Sequence, residues 1–122
     1  MVRHARECAP EECCGLLLGR DGDIVEVVRA RNAAGDPERR FLIDPIDHFA
    51  AIRAARARSL AIVGFYHSHP RSTAEPSPRD VAEFDHPDHL YAIVSLRTEP
   101  ADVRLFRFVA WNFQPVSFVT VA

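Results

Sequence analysis

Residues 67–80 read HSHPRSTAEPSPRD, two histidines two apart followed by a serine and an aspartate. A strand turns alternate side chains to opposite faces, so His67 and His69 would share one face and Ser68 the other. Two imidazoles on one face can reach a common ion without distorting the backbone. Pro70 lacks the N–H that a ladder needs and ends the strand. The chain loops through RSTAEP and returns at Ser77 and Pro78, a helix start that places Asp80 in the first turn, where a carboxylate is favoured. Packed across from the strand end, that helix could deliver Asp80 as a third ligand. Two neutral histidines plus one carboxylate leave a fourth position for water, the catalytic rather than the structural zinc arrangement.

Each piece has a plainer reading when taken alone. An H-x-H pair occurs in ordinary strands, and S-P-R-D by itself is a capped helix N-terminus. An acidic partner changes the balance. Glu11 and Glu12, in APEECCGLLLG, stand just before an apolar run, and one carboxylate there could accept a proton from water. The residue types alone do not choose between them, nor exclude an ordinary polar loop end. His86 and His89, in DHPDH, read as a solvated turn rather than a second ion site. His48 is expected on a helix surface and His4 near a frayed terminus.

The elements that must position these groups are short and clearly punctuated. Residues 2–9 read as the last turns of a helix closed by Pro10. The apolar run CCGLLLG (13–19) is a buried strand, and the Asp-Gly turn in RDGD returns IVEVVRA (24–30) as its hairpin partner. NAAGDPE (32–38) is loop, and RRFLID (39–44) a candidate third strand. Asp44 caps a helix that starts at Pro45 and runs to residue 58, with Phe49, Ile52 and Ala55 at helical spacing. LAIVGFYHSH (60–69) is the strongest strand, and SPRDVAEF (77–84) begins another helix. LYAIVSL (90–96), DVRLFRFVA (102–110) and PVSFVTV (115–121) complete the pattern, with Trp111 and Phe113 against the core or covering an interface. This is a mixed α+β or α/β sheet sandwiched by two or three helices.

Composition removes several classes of function. The 122 residues suit one domain (1–122), and 48% hydrophobic content can close a single core. A formal charge of −2 and a pI near 6.3 carry no electrostatic footprint for nucleic acid or an anionic membrane. The basic run RAARARS falls on a helix and reads as a solvated face. No apolar stretch reaches the ~18 residues of a membrane span, and the N-terminus lacks a signal-peptide h-region, so a cytoplasmic protein is expected. Cys8, Cys13 and Cys14 form neither a disulfide framework nor a zinc knuckle, and read as small apolar fillers.

Taken together, PEECCGLLLG, GFYHSHP and SPRD resemble the JAMM (MPN-plus) metalloprotease family, in its short stand-alone prokaryotic branch. His67, His69, Pro70, Ser77 and Asp80 fit its H-x-H-P, six residues, S, two residues, D motif without a gap. The loop NAAGDP, FLIDP and the strand ending VSL are also similar, so the resemblance spans nearly the whole chain. It implies one zinc ion on His67, His69 and Asp80. It implies Ser77 as an oxyanion-stabilising residue and Glu12, two residues before Cys14-Gly15, as the general acid/base. The implied fold is a curved central mixed sheet flanked by helices, related to the zinc deaminases. The implied substrate is a ubiquitin-like sulfur-carrier protein, cut after its C-terminal Gly-Gly. Two alternatives stand beside it: a non-catalytic MPN-type scaffold, and a zinc hydrolase of a small molecule. The first helix is shorter than the family's usual one. There is no room for the insertions that build ubiquitin-binding surfaces in eukaryotic relatives, which argues against a dedicated polyubiquitin protease.

Overall fold

The computed structural model describes residues 1–84, 86–110 and 112–120. In chain order the elements are α1 (Val2–Cys8), β1 (Cys14–Arg20), β2 (Asp23–Ala30), α2 (Pro45–Ala57), β3 (Ala61–His69), α3 (Pro78–Glu83), β4 (Leu90–Ser95), β5 (Asp102–Val109) and β6 (Asn112–Val116). The strands form one six-stranded sheet in the order β2-β1-β3-β4-β5-β6. Every neighbouring pair is antiparallel except β3 and β4. A parallel pair needs a crossover, and the one here carries α3. The crossover therefore brings the helix start at Ser77 back toward the end of β3.

The sheet has a different helical cover on each face. On one face, Cys14, Leu16, Leu18, Phe65 and Tyr91 pack with Ala51 and Ala55 of α2 and with Phe84 at the end of α3. On the other, Cys13, Leu17, Tyr66, Ala92 and Val94 pack with Ala5 of α1. The hairpin between β1 and β2 turns at Asp21 and Gly22, both at positive φ (53° and 83°), as an Asp-Gly turn requires. Asp44 caps α2 by accepting from the N–H groups of Ile46 (2.9 Å) and Asp47 (3.2 Å).

Four sequence expectations give way to packing. Phe49 does not face the core and is 62% exposed. α2 instead meets the sheet through Ala51 and Ala55, whose small side chains permit a close approach that a phenylalanine would block. The segment 39–44 is not a strand; it makes a single bridge, Asn32 to Ile43, and the Leu42 N–H bonds the Asn32 side chain rather than a neighbouring backbone. The last strand begins earlier than expected, at Asn112, with Pro115 tolerated because β6 is an edge. His4 is buried and its Nδ1 lies 2.8 Å from the Tyr66 hydroxyl, tying α1 to β3. Phe113 packs against the core, stacked on Phe108, while Trp111 lies outside the described residues.

All three cysteines are free, and burial pushes the thiols of Cys13 and Cys14 up to about 11 and 12. Among the described residues no helix is long and apolar enough to cross a membrane.

Gly15 sits where β1, β2 and β3 run side by side. A Cβ there would collide with the Tyr66 ring and the Val28 carbonyl oxygen. Gly15→Ala is expected to destabilise the protein by about 1–3 kcal/mol, read as a lower urea midpoint at unchanged m-value.

Candidate metal centre

β3 places its side chains as the alternation requires. Tyr66 and Ser68 join the α1 side, where the Ser68 hydroxyl accepts from the Cys13 N–H at 2.8 Å. His67 and His69 take the α2/α3 side and are 1% and 4% exposed. Opposite them, α3 begins with a capping box: Ser77 Oγ accepts from the Asp80 N–H at 3.0 Å, and the Ser77 N–H donates to Asp80 Oδ2 at 2.9 Å. The cap fixes the Asp80 side chain and aims it at β3.

Three ligand atoms converge as a result. His67 Nε2 and His69 Nε2 lie 3.1 Å apart, and Asp80 Oδ2 lies 3.2 Å from the first and 3.1 Å from the second. Ligand bonds of about 2.0–2.1 Å to a tetrahedral ion set the ligand atoms about 3.3 Å apart. The observed triangle fits that edge. The rings are also held in a binding orientation. His69 Nδ1 donates to the Thr73 carbonyl at 2.7 Å, so the neutral ring presents a bare Nε2, and Phe41 stacks on His67 with centroids 4.3 Å apart. Among the described residues this is the one group of three or more ligand side chains close enough to hold a metal.

Electrostatics follow from that convergence. Burial alone would raise the Asp80 pKa, but hydrogen bonds with His67 and His69 outweigh it and hold the carboxyl far below its usual range. Burial depresses His67 against the pull of Asp80. For His69 burial also acts to lower the pKa, and the Asp80 carboxylate and the Thr73 carbonyl together reverse the sign.

The two glutamates are placed differently. Glu11 is exposed, whereas Glu12 is 8% exposed and its Oε1 is a buried oxygen without a hydrogen-bond partner. Burial raises the Glu12 pKa to about 7, with His69 pulling it down and Asp80 pushing it up. Glu12 thus lies within the electrostatic reach of two of the three converging groups. Cys14 stays out of the triangle, its Sγ directed at the Ala30 and Arg31 carbonyls. His86 is exposed and gathers with His48 and His89 around Phe65. Sequence reasoning missed Phe41 and the Thr73 carbonyl; neither carries a local signal, because one acts through ring stacking across the fold and the other through backbone.

Residues 1–109 match the family described as prokaryotic homologs of the JAB domain. A desampylase of Haloferax volcanii is 36% identical over 102 residues, covering 78% of this chain and 73% of the relative. A CysO-cysteine peptidase of Mycobacterium tuberculosis is 35% identical over 124 residues, covering 98% and 84%. The solution structure of a Desulfitobacterium hafniense protein superposes with a TM-score of 0.88 at 31% identity, covering 98% of this chain and 84% of that one.

A ligand that binds only the folded state raises the melting temperature. Chelator treatment is therefore expected to lower the Tm of metal-loaded protein, and Asp80→Asn to abolish the difference between chelated and metal-supplemented melts. An Asp80→Asn protein that still shows the full shift would remove the carboxylate from the ligand set.

Proposed function

As the chain belongs to the prokaryotic JAB-domain family, whose named relatives above are peptidases and desampylases, it is a hydrolase of peptide or isopeptide bonds; we propose that it is a zinc enzyme cutting after the C-terminal Gly-Gly of a ubiquitin-like sulfur-carrier protein. The observation that carries this reading is the convergence of His67, His69 and Asp80 beside a buried, unpartnered Glu12 oxygen. The relatives support the substrate class, since one is named a CysO-cysteine peptidase and another a desampylase.

His67, His69 and Asp80 would hold the zinc, which would supply Lewis acidity and a water reactive near neutral pH. The chain's own residues do the rest. Glu12, with its pKa raised to about 7 by burial, is matched to accept a proton from the attacking water and return it to the leaving nitrogen. Ser77 Oγ already accepts from the Asp80 N–H, yet its hydroxyl hydrogen is not spent in that bond. It can cap the helix and donate to the oxygen that becomes negative in the transition state. A flexible glycine tail suits a site this buried, since it brings no side chains past Phe41 and Phe84, both packed on His67. The single domain spanning 1–122 and a cytoplasmic location belong to the same proposal.

The deciding experiment incubates the protein with a panel of carrier proteins bearing C-terminal extensions and reads intact mass. Release of the extension after Gly-Gly supports the reading; zinc bound without any cleavage overturns it in favour of a small-molecule hydrolase. Glu12→Gln is expected to keep one equivalent of zinc and lose about 10²–10⁴-fold in turnover. Ser77→Ala is expected to lower kcat by about 10²–10³-fold and to cost about 1 kcal/mol of stability, the second effect read separately by denaturant titration.

A further inference from the structure

The loop NAAGDP, between β2 and α2, has no part in the chemistry above, yet its first residue touches both sides of the site. The Asn32 amide nitrogen donates to the Glu12 carbonyl (3.0 Å) and the Arg40 carbonyl (3.0 Å), with a longer contact to the Pro37 carbonyl (3.4 Å). Its oxygen accepts from the N–H groups of Ala34 (3.0 Å) and Leu42 (3.1 Å). An amide offers two hydrogens and two lone pairs, and all are used. Three carbonyls on one side and two N–H groups on the other also permit only one orientation of the amide.

We infer that Asn32 is a positioning residue for the reaction, locking the segment that carries Glu12 and the segment that carries Phe41 into one unit beside the metal ligands. The Glu12 N–H reinforces the lock by donating to the Pro37 carbonyl at 2.8 Å. Leu42, held by the Asn32 oxygen, follows Phe41, whose ring stacks on His67 at 4.3 Å. The same side chain therefore sets the height of the proton carrier and the tilt of a ligand ring. It adds to the two backbone bonds of the lone Asn32–Ile43 bridge, from the Ala33 N–H to the Leu42 carbonyl (2.7 Å) and from the Asp44 N–H to the Arg31 carbonyl (3.0 Å). No metal ligand depends on it directly, since those stand on β3 and α3. This inference rests on the reading of Glu12 as the proton carrier. Its consequence is that loss of Asn32 weakens turnover rather than metal retention.

Two variants separate the arms. Asn32→Ala removes both. Asn32→Asp keeps the shape and the acceptor arm but turns an oxygen toward the Glu12, Pro37 and Arg40 carbonyls, so both segments lose their donor bond while Leu42 keeps its acceptor. In the isotope-labelled full chain, without substrate, Asn32→Ala should speed amide exchange at Glu12 and Leu42 and shift the His67 ring protons as the Phe41 ring moves off. Asn32→Asp should move the Glu12 amide, leave Leu42 near its parental value, and shift the His67 ring less than Asn32→Ala does, since that segment loses only its Arg40 bond. With whichever carrier protein the parent cleaves, kcat should fall on the order of ten- to a hundredfold for both variants, at KM within about twofold and unchanged zinc content. Parental kcat in a variant whose Glu12 amide has loosened overturns the inference, and so does a kcat loss that only tracks the unfolded fraction. Unmoved Glu12 and His67 resonances in Asn32→Ala overturn it as well. If the parent cleaves no carrier while the resonances move as expected, the functional reading fails and the positional claim stands.

Discussion

One oxygen atom, Asp80 Oδ2, lies within 3.2 Å of three nitrogens: the Ser77 backbone and the Nε2 atoms of His67 and His69. Burying a carboxylate is expensive unless it is paired and hydrogen-bonded, and here the pairing spans two elements. The first turn of α3 can be buried against β3 only with that oxygen satisfied, and the two imidazoles can face one another at 3.1 Å only with a charge or an ion to draw them together. The parallel β3–β4 connection, the short α3 and the proline that ends β3 all serve this contact. A capping interaction has thus been put to a second use, since the carboxylate that closes the helix start also completes the three-residue group that could hold a metal ion.

Around this contact the protein spends side chains on orientation. Thr73 fixes one ring through its carbonyl and Phe41 fixes the other through its face. Each support comes from a different loop, one before β3 in the chain and one after it. The buried Glu12 enters from a third direction, at the foot of β1, where Cys14 pairs with His67 across the ladder. That pairing sets the distance along the strand between the carboxyl-bearing turn and the first imidazole. Accuracy comes from a central strand gripped on both sides, while the loops supply the Phe41 and Thr73 supports and the buried Glu12.

How much of this could be read from residues depends on how local each cause is. The histidines, the proline and the S-P-R-D turn lie within fourteen residues, and strand alternation plus helix capping account for their arrangement. The Asp-Gly hairpin and the Asp44 cap were legible for the same reason. Phe49 misleads because helical spacing does not say how close α2 must come, and the alanines decide that. His4 misleads because its partner, Tyr66, is 62 residues away. The segment 39–44 has the composition of a strand, yet beyond one backbone bridge it is held by an asparagine side chain. Glu12 against Glu11 was settled in the sequence only through family likeness; in the fold, one of the pair is buried and the other exposed.

β3 serves two layers with alternate residues: Phe65, His67 and His69 for one, Tyr66 and Ser68 for the other. Its length is therefore under a parity constraint. Past the bulge between Ile62 and Gly64, inserting or deleting one residue within the strand would exchange the layers, sending both imidazoles under α1 and the phenol toward α3. Changes by two would restore the facing but slide the histidines past Asp80. Length variation among chains of this architecture should accordingly gather in the connections and leave this strand untouched.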